Sequence, residues 1–369
     1  MRVQNIFTEH PEEEMWKNLL QFSFPVNIKK YLSDKGFTSN DDLVESISGC
    51  ILQAYEYFNA SKNANLQISP LLLYYGSTNL LYGMANLCTG KINDIKNHGM
   101  HIDLESIYKY IAETTIRFDN YENGGIHVFT KVMNIPYNLT TFGTWTVQEL
   151  LGSIAEINGY YYKCYSTSES FVILVQETKN ENGIYEKVLL DQYNSETFLK
   201  MFSQVSKVSD SYLNPTPTHN HINNSEYIIL RHKINGKPIT ETSFSGQPYL
   251  QVAHKKNGNL ITLPTLFYMY MILFAFCSLC RYNPEKWNPF VRNDSTGERL
   301  LVEEFLYYAR RIIPNMILNH LYDCCICFVN EKYQINNTIK VVGEHEVKEL
   351  VKHELYLQKR IDEVKNNGV

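Results

Sequence analysis

The chain has 369 residues, longer than the common single domain of roughly 100 to 200, and its 44% hydrophobic against 20% charged residues supply a full core for one large domain or two closely joined ones. A net charge of only −5 excludes an overall basic field that would gather nucleic acid. Eight cysteines in no disulfide-framework pattern, and an amino terminus without the apolar core or cleavage site of a signal peptide, predict a cytoplasmic protein.

The first third reads as helical. Leu43, Ile47, Ile51, Ala54 and Phe58 recur at spacings of three and four, and Asn40, Asp41 and Asp42 stand where a helix start wants acceptors and negative charge. A second, more apolar helix is framed by Ser69 as its N-cap, Pro70 at the first helical position and Gly90 as its stop. Gly76 and Gly83 within it are seven apart and share a face. Glycine costs about 1 kcal/mol there relative to alanine, so close approach of another helix is expected as compensation. A third helix is expected over about 103–118.

The middle changes period. Residues 124–130 read as a strand, and Thr146 with Glu149 forms a capping box that opens a helix over 150–157. Strands are predicted at 171–175, 188–190 and 227–230, and Asn257-Gly258 between apolar alternations predicts a hairpin within 250–263. The polar stretch 206–224, with Pro215 and Pro217, reads as a surface loop.

The final third is helical again. Residues 265–280 are almost uncharged, but they would span only about 24 Å of a ~30 Å hydrocarbon core, so a buried helix is predicted and no membrane span. A long helix follows over 301–328, in which Pro314 should kink or divide the chain near Ile313. Val347, Leu350, Leu357, Ile361 and Val364 give the tail one apolar face suited to docking. The predicted fold class is α+β, predominantly α-helical. Segments 1–122 and 263–369 form a helical core around a mixed, β-rich insertion at 123–262.

Catalytic signatures are absent from the sequence. Gly83 and Gly90-Lys91 do not have phosphate-loop spacing, and Cys277-x-x-Cys280 lies inside an apolar helix and reads as core; no metal and no cofactor are expected. Basic residues at helix ends are the better lead. Arg281 ends the buried helix, where it can satisfy free carbonyls and stack on Trp287. Alternatively Arg281, Tyr282, Arg310, Arg311, Asn315 and His320 converge on one surface that binds phosphate or an RNA backbone. His98 joins this ligand-binding set or serves as a helix-end histidine.

Three blocks carry a family resemblance: residues 67–88 with His98-Gly-Met100, the run Arg281-Tyr-Asn-Pro-Glu-Lys-Trp287 after an apolar helix, and residues 305–320 with their internal proline. In this order, over about 43–328, they resemble the YaaC-like proteins of Bacillus and related bacteria. The helices also resemble, more distantly, the HEPN superfamily of bacterial RNases and defence proteins, whose site is an Arg followed by four to six residues and a His. Here eight residues separate Arg311 from His320. The resulting expectation is a regulatory or protein-interaction module without its own catalytic centre, acting in antiphage defence or nucleotide metabolism with a protein partner or a second copy. The alternative is a HEPN-type RNase or toxin that acts on RNA through Arg311, Asn315 and His320.

Overall fold

The structure is a computed structural model that describes residues 2–329 apart from 105–109, 121–122, 166–169, 181–182, 190–194, 221–224, 232 and 234–238. The docking helix expected in the tail lies outside the described residues. The chain divides into two compact units, residues 19–317 and a smaller one of residues 1–18 with the chain from 318 onward. In the smaller unit β1 (Arg2–Phe7) pairs in parallel with the last described strand, Arg2 opposite Cys324 and Phe7 opposite Val329.

Helices α1 (Pro11–Leu20), α2 (Pro25–Asp34), α3 (Asp41–Ser61) and α4 (Ser69–Thr89) follow. Asn40 caps α3 by accepting from the Leu43 amide at 2.8 Å, and the apolar stripe predicted from the sequence is its buried face. Pro70 sits in the first turn of α4 and Gly90 ends it with φ of 65°. Ser69 is inside the helix and buried; the cap position is Ile68, which offers no side-chain acceptor, so Ser69 is not the cap that was expected. Both glycines of α4 meet α3. A Cβ on Gly76 would lie 2.8 Å from the Phe58 ring, and one on Gly83 would lie 3.2 Å from Cys50 and Ile51.

Among the described residues of 103–118 there is no α-helix, only a 3-10 turn at Ile111–Glu113. Instead β2 (Met100–Asp103) pairs antiparallel with β3 (Thr115–Phe118), which also pairs with β4 (Trp145–Thr146). The run Thr114-Thr115-Ile116 is β-branched and favours extended backbone, and Arg117 reaches Asp103 across the pair at 2.8 Å. The converse error lies at 124–130, which is not a strand but α5 (Gly125–Val132). Its buried Ile126, Phe129 and Thr130 stand three and four apart, the helical period.

The capping box predicted at Thr146 is present in both arms and opens α6 (Val147–Leu151); α7 (Asn158–Cys164) comes after. Strands β5 (Val172–Leu174), β6 (Gln176–Asn180) and β7 (Gly183–Leu189) lead to helices α8 (Ser195–Ser203) and α9 (Val208–Ser211). Next come β8 (Thr216–Asn220), β9 (Ser225–Arg231), β10 (Glu241–Thr242) and β11 (Pro248–Gln251). One sheet has the order β6-β7-β9-β8 and another β10-β11-β5. The stretch read as a loop therefore holds α9 and β8, and Pro217 is tolerated because β8 is an edge strand. Ile173, Val188, Phe198, Ile228 and Leu250 are fully buried together under these strands.

Strands β12 (His254–Lys256) and β13 (Asn259–Ile261) form the predicted hairpin around Asn257-Gly258, both residues with positive φ. Lys256 pairs with Glu149 at 2.7 Å and lies 4.9 Å over the Trp145 ring, so the carboxylate of the capping box also anchors the hairpin. The last elements are α10 (Thr265–Tyr282), α11 (Pro284–Asn293), α12 (Glu298–Tyr322) and β14 (Cys324–Val329). Pro314 does not divide α12, which runs through it. The fold is α+β and predominantly helical.

Helix α10 is buried from Leu266 to Leu279 and packs along α4. It has the length and apolarity of a membrane span, yet 78% of it lies inside the protein. The start of α12 carries a second tie. Glu298, 1% exposed, accepts from the amides of Ile111 and Ala112 at 2.7 and 2.8 Å and from the Tyr165 hydroxyl at 2.6 Å, joining three separate segments. Burial pushes its carboxyl up to about 7 against the pull of these donors.

Two stability predictions follow from this packing. Gly76→Ala should destabilise by about 1–3 kcal/mol through overpacking against Phe58, whereas Gly49→Ala on α3, where nothing lies within 4 Å, should stabilise by roughly 0.5–1 kcal/mol; urea unfolding of both variants checks the pair. Glu298→Gln turns an amide donor toward donors and should cost roughly 1–3 kcal/mol at pH 7. The native carboxyl keeps its proton where the unfolded chain, near 4.5, has lost it, so its contribution to stability declines as pH rises from about 4.5 to about 7. Unfolding measured across that range should show this decline in the native protein and lose it in the glutamine variant.

Candidate functional site

The segment around His98 is held by the start of α5. The carbonyls of Asn97 and His98 accept from the amides of Gly125 and Ile126 at 2.8 and 3.1 Å, which pairs two amides that a helix start leaves open. Gly99 takes a φ of 74°, and its backbone touches Gly124 so closely that a Cβ on Gly124 would lie 2.5 Å from the Gly99 Cα. The side chain of Asn97 accepts from the Gly99 amide at 2.9 Å and closes the turn. This turn sets His98 against α4 and α10.

Those helices supply much of the rest, and Met100, Ile102 and Asp119 also line the site. Phe274, Cys277, Ser278 and Arg281 are spaced three, four and seven along α10 and share a face; Tyr74 and Tyr75 come from α4. With His98 and Tyr282 they line a cleft of about 290 Å³. His101 on the rim pairs with Asp119 at 2.8 Å. A wider hollow of about 550 Å³ is lined by Lys91, Asn93, Asp94 and Lys131.

Inside the cleft, His98 Nδ1 lies 2.7 Å from the Tyr74 hydroxyl, which is 3.3 Å from that of Tyr270; Tyr270 in turn is 3.2 Å from Thr78 Oγ1. Phe274 tilts against both Tyr74 and His98. Burial lowers the pKa of His98, and the Arg281 charge lowers it further, which favours the neutral imidazole. Arg281 donates to the Tyr75 hydroxyl and lays its guanidinium 4.9 Å over the Tyr282 ring, which is 65% exposed. Among the described residues no carboxylate pairs with it. Burial pushes the Cys277 thiol up to about 12, which leaves it protonated and a poor nucleophile.

A family model described as YaaC-like protein matches residues 22–321. The chain belongs to the YaaC-like family. No curated protein and no solved structure matches it.

Of the residues singled out in the sequence, the cleft gathers His98, Arg281 and Tyr282. Trp287 is elsewhere: fully buried, it packs between Phe276 and Phe290, and Arg281 stacks on Tyr282 instead. Arg310 donates to the Ser61 carbonyl at 3.1 Å, and Asn315 is buried. Arg311 is exposed on α12, and His320 stands nine residues further along it, roughly half a turn round the helix. The cysteines of β14 and α10 are free thiols. The hydroxyls of Tyr74, Tyr270 and Thr78 were missed, although Tyr74 and Thr78 are four apart on one helix face, the one signal available.

In ¹H–¹⁵N NMR titration His98 should titrate below the ordinary 6.5, and Arg281→Ala should raise its pKa part of the way back, because removing a cation favours the imidazolium while burial remains.

Proposed function

We propose that this YaaC-like protein is a non-catalytic regulatory or interaction module whose His98–Arg281 cleft receives a small phosphate-bearing ligand. The observation that carries the reading is the state of Arg281: a guanidinium fixed by Tyr75 and Tyr282 at the mouth of a cleft, in no ion pair among the described residues, while the one carboxylate that lines the cleft there, Asp119, is paired with His101. Such a group is pre-organised for an oxyanion, whose capture then costs little reorganisation. The wall opposite is aromatic and half apolar, so a ligand larger than the anion itself gains contact area. The protonated Cys277 thiol and the neutral phenols beside it support recognition rather than covalent chemistry.

Isothermal calorimetry with inorganic phosphate tests the reading. Binding to the native chain should weaken at least tenfold, about 1.4 kcal/mol, in Arg281→Ala and stay unchanged in Arg310→Ala, whose guanidinium is engaged with Ser61. Absence of binding to the native chain, or equal binding to both variants, overturns it.

A further inference from the structure

The hydrogen bonds behind His98 have a direction that can be followed from the interior outward. Thr78 Oγ1 donates to the Tyr74 carbonyl at 2.9 Å, because a carbonyl only accepts, and its single proton is committed there. The Tyr270 hydroxyl, 3.2 Å from Thr78 Oγ1, is then the donor of that pair. Its oxygen accepts in turn from the Tyr74 hydroxyl at 3.3 Å. With the Tyr74 proton turned toward Tyr270, the 2.7 Å contact to His98 requires the proton on Nδ1.

The opposite assignment, Tyr74 donating to His98, leaves two phenol oxygens face to face with no proton between them. Tyr74 and Tyr270 are 1% and 0% exposed, so in that assignment the lone pairs of the two oxygens oppose one another at 3.3 Å with no water to screen them. The chain therefore runs one way, from His98 through Tyr74 and Tyr270 to Thr78, and every member is satisfied. It fixes the neutral imidazole as the Nδ1–H tautomer. Nε2 carries the lone pair, and among the described residues it has no protein partner, while the ring lines the cleft.

Beside the Asp119 carboxylate, which His101 engages, the cleft thus offers two unlike groups: a guanidinium that only donates and an imidazole nitrogen that only accepts. We infer that it recognises a phosphate ester carrying a free hydroxyl, with the phosphate on Arg281 and the hydroxyl donating to His98 Nε2. The inference rests on the anion-binding reading above and adds the second recognition element. A volume of about 290 Å³ suits one sugar phosphate or the ribose phosphate of a mononucleotide, and is too small for a longer chain. The exposed face of Tyr282 packs on a sugar ring or a base equally well.

Two measurements on the full chain test this. ¹⁵N NMR at pH 7.5, with the His98 signals assigned by their loss in His98→Phe, should show the Nδ1–H tautomer; the Nε2–H tautomer overturns the inference. Calorimetry then compares inorganic phosphate, ribose 5-phosphate, AMP and 2′,3′-dideoxy-AMP. AMP should bind about tenfold more tightly than its dideoxy counterpart, the worth of one hydrogen bond at a site left unpaired without it. Whichever of ribose 5-phosphate and AMP binds more tightly identifies a sugar phosphate or a nucleotide as the source. Tyr270→Phe leaves the Tyr74 proton no acceptor except His98, so it should switch the ring to Nε2–H and erase the hydroxyl preference while inorganic phosphate still binds. Thr78→Val should do the same with a smaller change in shape, by releasing the Tyr270 proton to point back at Tyr74. Equal affinity for AMP and its dideoxy form overturns the inference and leaves anion binding standing. Loss of inorganic phosphate binding in the native chain removes both.

Discussion

The seam between α4 and α10 is the constraint on which the larger unit depends. Both helices are apolar almost all round, and each carries hydroxyls that cannot be left dry and unpaired in the interior. Tyr74 and Tyr270 stack at 5.4 Å and place their oxygens within reach of one another, and Tyr270 finds both of its hydroxyl partners, Tyr74 and Thr78, on α4. A slip of either helix by one turn would strand them. The seam thereby sets register as well as burial, and the cleft at its edge inherits that fixed register. On the far side of α4, α3 presses into Gly76 and Gly83, which holds α4 in place from behind.

The two apolar helices, the α3 stripe, the capping box and the Asn257-Gly258 hairpin were legible because each is a local pattern that its own residues enforce. The region at 103–132 was misread twice for a common reason. Short elements there are chosen by tertiary contacts: β2 by its pairing with β3, and α5 by the carbonyls of Asn97 and His98 at its start. His98, Arg281 and Tyr282 were legible as chemistry. Their meeting was not, since nothing local relates a turn near residue 98 to the end of a helix near residue 281. The error over Trp287 is instructive in the same way: an aromatic ring six residues from an arginine offered a stacking partner, but the adjacent Tyr282 stays at the surface where the guanidinium is, and Trp287 goes to the core.

Glu298 illustrates a different limit. As a carboxylate in the first turn of a helix it looks like an ordinary partner of the helix dipole, and sequence gives no hint that it is buried. Its three donors come from segments more than a hundred residues away. It does for the outer loops what the phenols do for the helices, tying distant chain together through a polar group that has no alternative partner.

The parallel pairing of β1 with β14 has a consequence for synthesis. The two strands are separated by roughly 320 residues, and a ribosome adding about 5–20 residues per second needs roughly 16 to 64 s to make the chain between them. Throughout that interval β1, with Val3 and Phe7 at its exposed side, is a strand edge without its mate. Until β14 emerges the nascent chain therefore carries an adhesive edge, and the charge of Arg2 and the brevity of the strand work against its pairing with another chain on the same messenger.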